Sequence, residues 1–374
     1  MLASNGVKKI KILFAVPRFS VGGAEKFLVH HLGALDTTRY DVSLITYFDE
    51  KHGSCADDST HIDHCFHAHS TWDVRAIRRL FRYVREGNFD VVVTHLFTAN
   101  LLVRIAAILA HVDVIISYEH NIYPNKRYWQ IVADKVLSWF TDRIIVDSDA
   151  AKYFTSEQEW IPQNKFQTII IPPLLDDRSR RTKETILTSL GIPVHAFLVV
   201  TVSRLVVDKG HRYLVAAIPN VLAKHPDTFF LIGGWGPLQA ELEAQVEQFG
   251  VSDRVKILGR VDGQEFTSIA DIYVDPSVST DLPIGIMEAM REGKAIVATT
   301  VGEVSNFVQN EKTGLTVPPG DPHALADAIN RMLDHEELRH QYGAAAKEKC
   351  AEYSLENYME TFDGLIVETL KKRA

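Results

Sequence analysis

The feature that most constrains the fold is an alternation that runs through the chain, stops once and starts again. Short, β-rich apolar runs trade places with longer amphipathic segments. In the first half the expected strands are residues 9–17, 41–48, 89–96, 113–121, 142–148 and 165–172. The expected helices between them are residues 22–35, 71–87, 99–111, 126–140 and 149–160. Strands this apolar, separated by helices, form a parallel sheet covered on both faces. The stretch IPPLLDDRSRR, with Pro172 and Pro173, breaks the pattern and reads as a domain boundary. The pattern then restarts, with strands at 196–204, 227–234, 254–260, 271–277, 295–300 and 314–319 and helices at 211–225, 237–250 and 284–292. Three helical segments close the chain. The fold class is therefore α/β, with two Rossmann-like, doubly wound domains at 1–175 and 176–352 and a last helix at 353–374. A chain of 374 residues is also too long for one ordinary core.

Composition narrows the class. A hydrophobic share of 46% and a charged share of 24% are those of a soluble globular protein. A net charge of −8 argues against a nucleic-acid partner. No apolar run is long enough to span a bilayer, and LLVRIAAILA is interrupted by Arg104. The opening residues lack the layout of a signal peptide and read as a first strand. Cys55, Cys65 and Cys350 make no even framework, so a cytoplasmic setting is expected.

The stretch 271–303, DIYVDPSVSTDLPIGIMEAMREGKAIVATTVGE, reads as strand, loop, helix, strand and loop. Pro283 suits a helix start and Gly293 a helix stop. A loop at the carboxyl end of a parallel strand that feeds a helix is where open α/β sheets bind anions. Asp281 and Glu288, as carboxylates so close to such a site, are not suited to contact the phosphate itself. They are better placed to accept hydrogen bonds from sugar hydroxyls.

This stretch resembles the signature of the retaining GT-B glycosyltransferases of group one, carbohydrate-enzyme family 4. Glu288, Ala289, Met290 and Gly293 stand in register with it, while Thr280 replaces the usual first Glu and Asp281 the usual Gly. The resemblance implies a ligand cleft between the domains and a C-terminal helix crossing back onto the first. It also implies a nucleotide diphosphate sugar as donor substrate, no bound metal or other cofactor, and a glycan or lipid-linked acceptor. Arg204, Lys209 and Gly210 lie in the string SRLVVDKG, which resembles the family's diphosphate clamp. A guanidinium and an ammonium there can converge on a diphosphate. The plainer reading is two exposed cations on a loop.

Four other places carry the resemblance. Gly22 and Gly23 follow the first strand and can bring backbone N–H groups close to a ligand, or form only a tight turn. His120, in SYEHN, stands where similar enzymes touch the transferred sugar. That string favours a UDP-sugar, with a GDP-sugar as the other choice; a lone His is otherwise structural. Arg260 and Val261 stand where relatives hold the base. Pro283, Ile284 and Gly285 offer backbone donors to the phosphates. The glycines of GGWGPL do not make a dinucleotide fingerprint, because the third position is Gln239. Asn306 stands where a later family motif has an acid.

Two stretches fall outside the motif. Arg75, Arg78, Arg79, Arg82 and Arg85 share one face of an expected helix, with Val74, Ile77, Phe81 and Val84 as a stripe on another. The bland reading is a solvated face. The sharper one is a patch for an anionic membrane, with Trp72 at the interface. Residues 52–69 hold His52, Cys55, His61, His64, Cys65, His67 and His69, without standard zinc spacing. A polar strand face is expected there rather than a metal. The missing Glu at position 280 leaves three readings open: an active transferase with altered donor preference, a non-catalytic GT-B scaffold, or a sugar-nucleotide epimerase of the same fold.

Overall fold

The computed structural model describes residues 8–19, 23–49, 62–120, 122–173, 180–280 and 282–373. The chain divides into two units, Met1–Ile171 with Leu355–Ala374, and Pro172–Ser354.

The first unit holds seven strands: β1 (Ile10–Val16), β2 (Tyr40–Thr46), β3 (His64–Cys65), β4 (Val91–His95), β5 (Val114–Glu119), β6 (Arg143–Val146) and β7 (Phe166–Thr168). They lie in the order β3-β2-β1-β4-β5-β6-β7, and every pairing is parallel. β4 and β5 are buried throughout, as two-sided cover requires. Chain order reverses between β1 and β4, so the loops after these strands flank a switch point. The C-terminal helix Leu355–Arg373 packs in this unit, with Tyr358 and Phe362 beside Phe14, Phe27 and His31.

The second unit holds β8 (Phe197–Val202), β9 (Thr228–Gly233), β10 (Val255–Gly259), β11 (Ile272–Asp275), β12 (Ala295–Thr299) and β13 (Leu315–Val317). The order is β10-β9-β8-β11-β12-β13, again all parallel. Its switch point lies between β8 and β11. The helix Ile284–Arg291 starts directly after Pro283, and Gly293 takes a left-handed φ of 66° just beyond its end.

The differences from the sequence reading have local causes. Helices Lys183–Leu190 and Gly263–Ile269 were not expected; each is short but capped, by Thr182 and Asp262. The arginine helix runs from Val74 to Gly87 on an Asp73 cap, and it buries Ala76, Leu80 and Val84. The buried row is Ala76, Leu80 and Val84, so of the expected stripe Val74 is exposed and Ile77 and Phe81 are only half-buried. No helix among the described residues is long and apolar enough to cross a membrane.

Candidate functional site

The switch point of the second unit gathers most of the expected site residues. After β8 the chain passes Ser203 and the exposed Arg204, makes a short 3₁₀ turn over Val207–Lys209, and enters the helix His211–Leu222. Gly210 joins turn to helix with a φ of 63°, and a Cβ there would meet the Pro276 carbonyl oxygen at 1.9 Å. Only glycine allows this approach. The loop after β11 is tied to the same turn: Val278 and Ser279 donate their N–H groups to the Asp208 carbonyl at 2.8 and 3.2 Å. Lys209 Nζ donates to Thr280 Oγ1 at 3.1 Å. The residue standing in place of the expected acid is thus a direct partner of the clamp lysine.

The helix Ile284–Arg291 enters beside this loop. Gly285 lets it pass close to the Tyr273 hydroxyl, which would lie 2.2 Å from an added Cβ and donates to the Val202 carbonyl at 3.3 Å. Glu288 is half-buried one turn on, with Oε2 3.7 Å from where a Cβ of Gly263 would stand. Burial, then the charges of Asp275 and Glu288, push the Tyr273 phenol well above its ordinary range. Val261 packs against Gly233, where a Cβ would meet its Cγ2 at 2.6 Å, and Arg260 is exposed beside it. Arg204, Lys209, Arg260, Val261, Pro283, Ile284, Gly285 and Glu288 therefore all lie in loops or helix starts after the carboxyl ends of β8, β10 and β11. Asp281 lies outside the described residues.

Buried His211 was passed over in the sequence. Its Nε2 meets Ser203 Oγ at 3.1 Å, and burial, with Lys209 adding to it, lowers its pKa to about 4. An imidazole at the start of the helix, neutral at physiological pH, adds no cation to the clamp. Asn306, at the position of the later family acid, donates its amide to Glu303, an acid one turn earlier.

In the first unit the carboxyl ends of β4, β5 and β6 bring together His95, His120 and Asp147. His95 Nδ1 lies 2.9 Å from His120 Nε2, and His120 Nδ1 lies 3.3 Å from Asp147 Oδ2. The rings of Tyr118 and His120 stack at 4.2 Å and 8°. Burial first, and then His120 and His31, keep the His95 pKa well below the ordinary imidazole range. His95 and Asp147 were not singled out from the sequence, although the strand-end rule that flags His120 applies equally to both. Gly23 starts the helix after β1; Gly22 and Asn121 lie outside the described residues.

Behind His120 runs a buried ionic network. Lys126 binds Asp134 at 2.9 Å and also Glu159, and it approaches Glu119 at 4.0 Å. Arg104, the residue that interrupts the apolar run, pairs with Asp134. Burial raises the Glu119 and Glu159 carboxyls, the latter to about 8. The network anchors both sides of the loop that follows His120.

The His/Cys-rich stretch is only partly described, since His52, Cys55 and His61 lie outside the described residues. Phe66 and Ala68 are buried, and Ile62 and His64 are half-buried. The ligand atoms of Asp49, Cys65 and His67 lie within 4.8 Å of one another, with Asp49 and His67 exposed.

Comparison with known proteins gives this geometry its family. Residues 182–349 match the family model "Glycosyl transferases group 1", and residues 21–170 match "Glycosyltransferase Family 4". The alpha-D-kanosaminyltransferase of Streptomyces kanamyceticus is 33% identical over 162 residues, 42% of this chain and 42% of that protein. A D-inositol 3-phosphate glycosyltransferase of Corynebacterium diphtheriae is 31% identical over 185 residues, 47% of this chain and 43% of that protein. The chain thus matches less than half the length of these two relatives. The UDP-Gal:alpha-D-GlcNAc-diphosphoundecaprenol alpha-1,3-galactosyltransferase of Escherichia coli is 24% identical over 351 residues, 88% of this chain and 89% of that protein. Among solved structures, Anabaena HepE in complex with UDP and glucose superposes with a TM-score of 0.78 at 19% identity, over 96% of this chain and 100% of that one. A glycosyltransferase from Rickettsia africae gives 0.80 at 18% identity, over 98% and 100%. Two parallel Rossmann-like sheets and these neighbours establish the GT-B fold, and the chain belongs to the group 1 glycosyltransferases.

Proposed function

We propose that the protein is a retaining glycosyltransferase that moves a sugar from a nucleotide diphosphate sugar, a UDP-sugar in preference to a GDP-sugar, to a glycan or lipid-linked acceptor. The observation that carries this reading is the switch point of the second unit. There Lys209, the Gly210 turn and the start of helix Ile284–Arg291 converge, with exposed Arg204 on the same β8 loop and Glu288 one turn into the helix. Cations and a helix N-terminus suit a diphosphate. A carboxylate set back from them suits ribose hydroxyls.

The chemistry follows from charge. The bond between the sugar anomeric carbon and the diphosphate oxygen breaks, and the oxygen keeps the electron pair. Arg204, Lys209 and the helix N-terminus neutralise the departing diphosphate, and side-chain cations rather than a metal do this work. The sugar becomes oxocarbenium-like. The acceptor oxygen bonds to the anomeric carbon from the face the diphosphate leaves, and its proton passes to a phosphate oxygen. Arg260 and Val261 hold the base, and backbone groups at Pro283, Ile284 and Gly285 hold phosphate or sugar. In this reading Asp281 accepts hydrogen bonds from sugar hydroxyls. Thr280 fits the scheme: a hydroxyl partner leaves the charge of Lys209 free for the diphosphate, where a carboxylate would offset it.

The names of relatives support the finer reading. The Escherichia coli relative that spans most of this chain uses a UDP-sugar and a diphosphoundecaprenol acceptor by its name. A lipid-linked acceptor gives the arginines at 75, 78, 79, 82 and 85 a purpose, as a patch for an anionic membrane on a cytoplasmic, peripheral enzyme. Proton NMR of reactions with UDP-glucose, UDP-galactose and UDP-N-acetylglucosamine in chelator tests the proposal. Slow donor hydrolysis that first releases the α-anomer is expected. A β-anomer contradicts retention, and loss of turnover in chelator contradicts metal independence. Tight binding without turnover marks a scaffold, and an isomerised sugar nucleotide marks an epimerase.

A further inference from the structure

The helix Tyr128–Ser138 is inside out. Its buried side carries Asp134 and Ser138 beside Leu137. Its outward side carries Tyr128, Trp129, Val132 and Val136 and continues into Trp139 and Phe140 just past its end, all exposed. These six fall within about a third of the helix circumference. Trp139 is 64% exposed and Tyr128 72%, so these are not rims of the core. A contiguous apolar face of this kind marks a docking surface.

The orientation is imposed from within. Asp134 pairs with Arg104 and Lys126, both buried, so a roll of the helix that hid its aromatic side would take a carboxylate partner away from two buried cations. The face also has a charged neighbour. Trp72, just before the Asp73 cap of helix Val74–Gly87, lies 6.1 Å from Trp129, ring to ring. That helix exposes Arg75, Arg78, Arg79, Arg82 and Arg85, with no acid between Val74 and Arg85, in a chain of net charge −8. Apolar aromatics bordered by a local excess of arginine complement an anionic lipid surface, with headgroups against the arginines and rings at the acyl boundary.

We infer that the outward face of helix Tyr128–Ser138, with Trp139 and Phe140, is the part of the protein that inserts into the interface of an anionic membrane. The inference rests on the proposal that the arginine helix meets such a membrane, and adds an apolar anchor that the electrostatic reading does not contain.

The test is sedimentation of the full chain with phosphatidylcholine vesicles, with and without phosphatidylglycerol, joined to tryptophan quenching by brominated acyl chains. Two variants are compared with wild type: Trp139→Ser/Phe140→Ser, and Arg75→Gln/Arg78→Gln/Arg82→Gln. All five positions are exposed, and donor hydrolysis in lipid-free buffer stays at the wild-type rate in both, which separates this test from that of the catalytic proposal. Wild type is expected to sediment with phosphatidylglycerol vesicles and to show quenched tryptophan. The Ser variant is expected to lose about tenfold in partitioning at any salt, and the Gln variant to lose the salt-sensitive part. Binding lost in the Ser variant but untouched in the Gln variant supports the anchor while removing the arginine reading. No binding to phosphatidylglycerol vesicles, unquenched tryptophan, or equal binding by the Ser variant overturns the inference. So does a wild-type dimer that the Ser variant dissociates, since the face then covers a second copy of the chain.

Discussion

Two residues carry more of the account than their size suggests. Gly210 turns the chain into its helix through a φ of 63°, with the Pro276 carbonyl where a Cβ would stand. Gly210→Ala is expected to destabilise the second unit by at least about 2 kcal/mol and to abolish nucleotide binding; thermal unfolding and calorimetry read the two effects. His31 sits among Phe14, Phe27, Tyr358 and Phe362, and among the described residues neither ring nitrogen has a hydrogen-bond partner. Burial, with a contribution from His120, lowers its pKa to about 3. The unfolded chain takes up this proton near pH 6.5 and the folded one does not. Stability linked to His31 is therefore full above pH 6.5 and falls as pH drops toward 3, by on the order of 3 kcal/mol at pH 4. His31→Leu is expected to flatten that part of the stability–pH curve, measured by urea unfolding from pH 7 to 4. An unchanged slope would mean that His31 is protonated in the folded chain. Neither effect is legible in sequence. The GG, KG and HH dipeptides do not say which glycine faces a carbonyl or which histidine meets only aromatic rings.

At the scale of elements, alternation was highly legible. Strands 9–17 and 113–121 needed only trimming, to Ile10–Val16 and Val114–Glu119, and the helix after Pro283 starts where expected. Residues such as Arg204, Lys209 and Glu288 were legible as site candidates because strand ends can be read from apolar runs. The inside-out helix was not. Its sequence, YWQIVADKVLS, shows mixed apolar and polar positions, and only the pairing of Asp134 with Arg104 and Lys126, 30 and 8 residues away, decides which side faces in. Asp134→Ala leaves two buried cations short of a partner. A loss of about 3–5 kcal/mol is expected, in urea unfolding of the first unit. A loss below about 1 kcal/mol would show that the network is not what holds this helix.

For the whole molecule, we propose that the nucleotide binds the second unit. The carboxyl-end loops of β8, β10 and β11 hold the cations, the glycine turn and Glu288, and they lie in the stretch that matches the group 1 family. The first unit contributes the stacked Tyr118, His120 and His95, together with the two helices that we propose meet a membrane. The missing acid at position 280, the main departure from the family pattern, becomes intelligible once Thr280 is seen bonded to Lys209. The most direct measurement is calorimetric titration of wild type and Arg204→Ala with UDP, GDP and ADP, with and without chelator. The account predicts that UDP binds wild type most tightly, that chelator leaves this unchanged, and that affinity falls at least about tenfold in Arg204→Ala. Binding that needs a metal, or that is equal in the variant, or no binding of any of the three, would contradict it.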